Sequence, residues 1–106
     1  MTDKIKDAFK GVKDRYITKG IAETVPGEVI VFLWDMIESM EVVTRDYLQI
    51  FKFKKLGDGV ALTHEQEQPE YKNTVMLYGN FDIPGGITVY VIADEGVATM
   101  LLSSEY

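Results

Sequence analysis

The sequence predicts an α+β fold: a mainly antiparallel five- or six-stranded sheet, one long helix packed across it, and a short N-terminal helix nearby. Three observations predict it. Residues 87–93 are a β-branched and aromatic run that meets Asp94-Glu95-Gly96-Val97 and returns as Ala98-Thr99-Met100-Leu101-Leu102, the pattern of a hairpin. Residues 26–40 carry apolar side chains at helical spacing behind a helix-start signal. Between these two regions, strand-type runs over 46–78 are separated by Gly- and Pro-containing turns.

In chain order, Ile5, Ala8, Phe9 and Val12 stand at i, i+3, i+4 and i+7 and predict a short helix inside an N-terminal arm over 1–12. Arg15-Tyr16-Ile17-Thr18 reads as a short strand closed by Gly20. A long helix is predicted from Val25 to about Glu41. Thr24 supplies its N-cap, Pro26 stands in the first turn where a missing N–H costs nothing, and Glu28 complements the positive end of the dipole. Val29, Phe32, Leu33, Met36, Ile37 and Met40 make its apolar face, which Ile30 and Trp34 widen to an arc of roughly 200°. So wide an arc exceeds one sheet face. Trp34 or Val31 is therefore expected against a second element or a second subunit, or beneath the chain's own N-terminal segment.

Residues 46–53 alternate Tyr47, Gln49, Phe51 and Phe53 on one face with Leu48, Ile50, Lys52 and Lys54 on the other. Gly57-Asp58-Gly59 turns the chain into a partner strand over 60–65, Pro69 confines 67–70 to a loop or edge, 71–78 forms a further strand, and 79–86 is a loop. Residues 1–106 read as a single domain with its α+β core over 13–106. Central strands apolar on both faces need two covers: the long helix is one, and the N-terminal segment or a twofold-related subunit is the other.

Composition narrows the functions open to the chain. Its 106 residues suffice for one core without staples. The absence of Cys excludes disulfides, thiol catalysis and Cys-type zinc sites, and suits a reducing compartment. With no signal-type segment and no apolar run near the roughly 20 residues of a bilayer span, a cytoplasmic protein without membrane attachment is expected. The net charge of −6 is uneven: residues 1–19 hold six Lys/Arg against three Asp/Glu, the rest five against fourteen. A net-acidic chain is a poor general binder of phosphate backbones, although a local basic arm can touch them.

His64 is the single histidine, and His64-Glu65-Gln66-Glu67 looks superficially like a metal cluster. On a strand His64 and Gln66 point one way and Glu65 and Glu67 the other, so the ligands do not converge and no metal site is expected. Ser39, Ser103 and Ser104 lack the G-x-S-x-G elbow of a nucleophile; Asp94 and Glu95 suit a turn; Pro84-Gly85-Gly86 opens onto a strand, not the helix N-terminus a phosphate cradle needs. No catalytic residue and no cofactor is assigned, and the chain is not read as an enzyme. What remains is surface. Lys52, Lys54 and Lys55 beside Tyr47, Phe51 and Phe53 form the pattern of a single-strand nucleic-acid platform, against the competing reading that aromatic strands pack a core. With Trp34 and Val31 on the helix, these residues are the expected interaction surface.

Arg15-Tyr16-Ile17-Thr18-Lys19-Gly20, Phe32-Leu33-Trp34, the runs 46–51 and 66–72, and 91–96 leading to 99–102 and Glu105-Tyr106 together resemble the DUF960 family of small Firmicutes proteins, over roughly residues 15–106. The set is specific although no single motif is. The resemblance implies a protein of unknown function and supplies no ligand or catalytic residues. The region before Arg15 is longer and more Lys-rich than the family pattern, so a role for that arm would be particular to this protein. The expected function is a non-enzymatic protein–protein interaction module, its partner an unidentified protein or a second copy forming a homodimer. The alternatives are weak nucleic-acid binding through the Lys-rich arm and hairpin, and small-molecule binding between helix and sheet.

Overall fold

A computed structural model of the protein describes residues 7–79 and 81–106. The elements run β1 (Asp14–Ile17), α1 (Lys19–Thr24), α2 (Gly27–Glu38), β2 (Leu48–Leu56), β3 (Gly59–Gln66), β4 (Tyr71–Tyr78), β5 (Thr88–Asp94) and β6 (Val97–Leu102), with a closing 3₁₀ turn at Ser103–Glu105. The strands form one six-stranded sheet in the order β1-β6-β5-β2-β3-β4. Four of its pairings are antiparallel, and β1 joins β6 in parallel, which makes the sheet mixed. The α+β architecture with a mainly antiparallel sheet is thus the one the sequence predicts.

The hairpins follow their turn residues. Gly57 at φ +60° turns β2 into β3, and Glu95 (φ +49°) with Gly96 (φ +86°) turns β5 into β6. Two successive left-handed residues give a hairpin the twist its strands require. On α2, Val29, Leu33, Trp34, Met36 and Ile37 are buried against Phe51, Phe53, Leu62, Val89, Val91 and Met100. Phe32, placed on the apolar face by the sequence, is 37% exposed at its margin.

Two local expectations are corrected. The predicted helix from Val25 to Glu41 is shorter and is preceded by another helix. A residue before proline is pushed out of the α region, and Val25 adopts φ −111°, ψ 126°. Thr24 therefore ends α1 instead of capping α2, whose N-cap position is Pro26. The side-chain cap is Thr18, whose Oγ1 accepts from the Ile21 N–H at 3.3 Å. The short helix predicted over 5–12 is a turn in its described part. Asp7 Oδ1 accepts from the N–H groups of Phe9 (2.9 Å) and Lys10 (3.1 Å), and Gly11 at φ +88° closes the turn. Residues 1–6 of the arm lie outside the described residues. The apolar positions pack nonetheless: Phe9 joins the core with Ala8 and Val12 beside it. Arg45 fastens this segment, donating from Nε to both Asp7 carboxylate oxygens at 3.0 Å and from a terminal nitrogen to the Ile37 carbonyl near the end of α2.

Strand alternation then sorts the sheet. Gln49, Phe51 and Phe53 of β2, Leu62, His64 and Gln66 of β3, Val89, Val91 and Ala93 of β5, and Ala98 and Met100 of β6 are buried on the helix side. The intervening residues are half-buried or exposed, except Gly59 and Ala61 at the start of β3, which are buried. Because the N-terminal segment packs into the same core as α2, it does not supply the second cover the sequence calls for. Among the described residues, the face opposite α2 is open.

Candidate interaction surface

The open face is apolar by register over β1, β6, β5 and the first half of β2, and polar over β3 and β4, where Thr63, Glu65, Lys72 and Thr74 stand. Leu48 of β2 pairs with Ile92 of β5, which pairs with Thr99 of β6, which pairs with Tyr16 of β1. The next row carries Ile50, Tyr90 and Leu101. Tyr106 lays its ring edge-on to Tyr90, with centroids 5.7 Å apart, and stays 78% exposed itself. A broad depression of about 670 Å³ runs along β6, lined by Ile92, Val97, Thr99, Leu101 and Tyr106 with Asp94, Glu95 and Glu105 at its margin. Charge is divided across the face. Register brings Asp14, Val97 and Asp94 together where β5 turns into β6, beside exposed Glu95. Lys52 and Lys54 lie toward the other end of β2, Lys52 Nζ standing 3.4 Å from Glu65.

The residues nominated from sequence do not assemble into one patch. Trp34 is buried at 8% exposure, with the Arg15 guanidinium 4.9 Å from its ring centroid; Arg15 in turn donates to Glu38 at 2.9 Å. Val31 is exposed on the other side of α2. Phe51 and Phe53 are fully buried beneath the helix, so they cannot stack on a base beside the lysines. The reason is the two-residue period of a strand, which sends neighbours in sequence to opposite faces. Tyr47, Lys52, Lys54 and Lys55 are exposed, without those two rings. Missing from the nominated set were Tyr16, Leu48, Ile50, Tyr90, Ile92, Leu101 and Tyr106. The signal that points to them is the one that called for two covers: strands apolar on both alternating faces.

His64 sits in a closed polar network inside the core. Its Nε2 donates to Gln49 Oε1 at 2.6 Å, and Gln49 Nε2 donates to Gln66 Oε1 (2.7 Å) and the Asp46 carbonyl (2.9 Å). Because both donors of Gln49 are committed there, its oxygen accepts and the histidine hydrogen is on Nε2. Gln66 Oε1 also accepts from the Asp46 N–H, and its Nε2 donates to the carbonyls of Thr44 and of Pro69, in a loop whose Gln68–Pro69 peptide is cis. Phe51 stacks on the imidazole at 4.3 Å and Tyr71 meets it edge-on at 5.3 Å. Burial pushes the His64 pKa down to about 4, and Nδ1 has no protein partner. The network fixes the segment 44–47 and the start of β2 against β3 and the loop over 67–70. Among the described residues, no three His, Cys, Asp or Glu side chains come together as a metal site would require. A polar cleft of about 390 Å³ between the end of α2 and β4 is lined by Met36, Ser39, Glu41, Tyr71 and Asn73. No helix of the described residues is long and apolar enough to cross a membrane.

The fold recurs in a solved structure. The crystal structure of a protein of unknown function from Enterococcus faecalis matches with a TM-score of 0.77 and 20% identity, over 96% of this chain and 98% of that one. At that identity the likeness concerns the fold. No curated protein matches the sequence. The family model described as a staphylococcal protein of unknown function, DUF960, matches residues 14–105, starting where β1 starts. The chain therefore belongs to the DUF960 family.

Proposed function

We propose that this protein works by protein–protein contact through the sheet face opposite α2. One observation carries the reading: the band formed by Tyr16, Leu48, Ile50, Tyr90, Ile92 and Leu101 is contiguous by register and apolar, and among the described residues no helix or strand packs over it, Tyr106 alone lying against Tyr90. Contiguous apolar surface with charged residues at its ends is the make-up of a contact site, and tyrosine supplies large contact area at low conformational cost. A cytoplasmic setting suits a chain without cysteine. Stacking on nucleic acid is disfavoured by the geometry that buries Phe51 and Phe53.

The test is site-specific photo-crosslinking in cells of the native host, with the probe residue replacing Ile92 and, as a control, Val31 on the outside of α2. Adducts formed at 92 and not at 31 are the expected result. No adduct at 92, or equal yields at both positions, would refute the reading.

A further inference from the structure

We infer that the partner on this face is a second copy of the chain, seated about a twofold axis lying in the plane of the face; this rests on the contact reading above. The argument is electrostatic and geometric. The apolar band is bounded at one end by Asp14, Asp94 and Glu95; toward the other stand Lys52, Lys54 and Lys72 with two carboxylates among them, Glu65 at 3.4 Å from Lys52 Nζ and Glu105 beyond Leu102, so that end is the less acidic of the two and Lys54 is its lysine clear of Glu65. When a copy is turned over about a twofold between those ends, the acidic end of each protomer falls on the lysine-bearing end of the other, and band meets band. Stacking the two copies with like ends together sets carboxylates on carboxylates, which costs several kcal/mol across an interface and excludes that arrangement. A face that complements itself under one twofold operation is the requirement for an isologous dimer.

Size is consistent with that occupant. Four strands about 4.8 Å apart and five residues rising about 3.4 Å each give roughly 19 by 17 Å, on the order of 300 Å² of flat area per copy. Two such faces bury roughly 600 Å² of flat area before side-chain relief, the small end of the range, which belongs to a weak, concentration-dependent dimer. Aligned packing of two twisted sheets, about 30° apart, is the geometry the face allows. Tyr106, 78% exposed over Tyr90, would lie at the rim of the contact and be covered by the second copy.

Sedimentation equilibrium of the purified chain, from about 1 μM to about 1 mM, reads the association directly. A concentration-dependent dimer is expected, weakened about a hundredfold by Ile92→Glu and unaffected by Val31→Glu. Asp94→Lys and Lys54→Glu should each weaken it about tenfold, and the double variant should recover most of the loss, because the swap restores opposite charges across the axis. Both sites are exposed, so native amide spectra are expected for the charge variants. A chain that stays monomeric throughout, a dimer indifferent to Ile92→Glu, or a double variant no better than its singles would overturn the inference. If the chain is monomeric while position 92 still crosslinks to a different protein in cells, the self-association inference fails and the contact reading stands; loss of both results removes both.

Discussion

His64 is neutral because its surroundings leave no room for charge. Stacked on Phe51, edge-on to Tyr71 and fully buried, it has one hydrogen-bond partner, the Gln49 oxygen. Desolvation pushes its pKa from 6.5 to about 4. The unfolded chain therefore binds this proton more readily between those two values. Stability contributed by the neutral imidazole is fully present above pH 6.5 and declines as pH falls toward 4, by about 3 kcal/mol over the window. Denaturant midpoints measured from pH 7 to pH 4.5 should fall for the native chain more steeply than for His64→Leu, which has no proton to take up. Equal slopes would show that another group governs acid stability. Much of this site was legible as a strand residue: alternation placed His64 apart from Glu65 and Glu67. The glutamine partners were not legible, because Gln49 and His64 meet only once β2 and β3 are in register.

At the scale of elements, α1 is held by groups from the far end of the chain. Thr18, its N-cap, donates its hydroxyl hydrogen to Glu105 Oε1 at 2.7 Å, and the same oxygen accepts from the Leu102 N–H at 2.8 Å. The Thr18 hydroxyl, then the Leu102 N–H, hold the Glu105 carboxyl below the usual carboxylate range. Gly20 is part of this clip: a Cβ there would stand 2.5 Å from Glu105 Oε2. Gly20→Ala should displace the carboxylate and move the Glu105 titration midpoint, followed by NMR, upward toward its ordinary value. An unchanged midpoint would show that the clip tolerates the methyl group. Melting temperature is the wrong readout, since alanine also favours the helix by about 1 kcal/mol and masks the loss. The sequence did not reveal α1 because its cap signal, Thr18, lies in a stretch that also reads as a strand ending at Gly20. Choosing between them needs the carboxylate of residue 105.

For the whole molecule, the C-terminal strand is central. β6 lies between β5 and β1, and Met100 is fully buried in the core. Removing residues 100–106 takes away part of the pairing of both neighbours, the Thr18 N–H to Met100 carbonyl bond, and three apolar side chains, of which Met100 is fully buried and worth about 1.5–3 kcal/mol while Leu101 and Leu102 are half-buried and worth less. With the lost strand hydrogen bonds, each worth about 1 kcal/mol, the loss is large beside the 5–15 kcal/mol that holds a domain folded. The truncated chain is expected to lose amide dispersion in NMR spectra; retained native dispersion would show the segment to be dispensable.

By itself the sequence determined the α+β class, the hairpins and the long helix, because these follow from residue spacing and turn chemistry within a few residues of one another. The turn of 57–59, the alternation of 46–53 and the apolar spacing of 29–37 each act locally. Only the tertiary structure decided the parallel pairing of β1 with β6, the clip of Thr18 and Glu105 that holds α1, and which face of the sheet stays open; the break of the helix at Val25 was local, set by Pro26. The first two depend on contacts between residues more than 80 positions apart, Tyr16 with Thr99 and Thr18 with Glu105, and the third on the side of the sheet that α2 packs against. The periodicity of a strand states that it has two faces; the placement of α2 and the N-terminal segment on the same side states which of them is left for a partner.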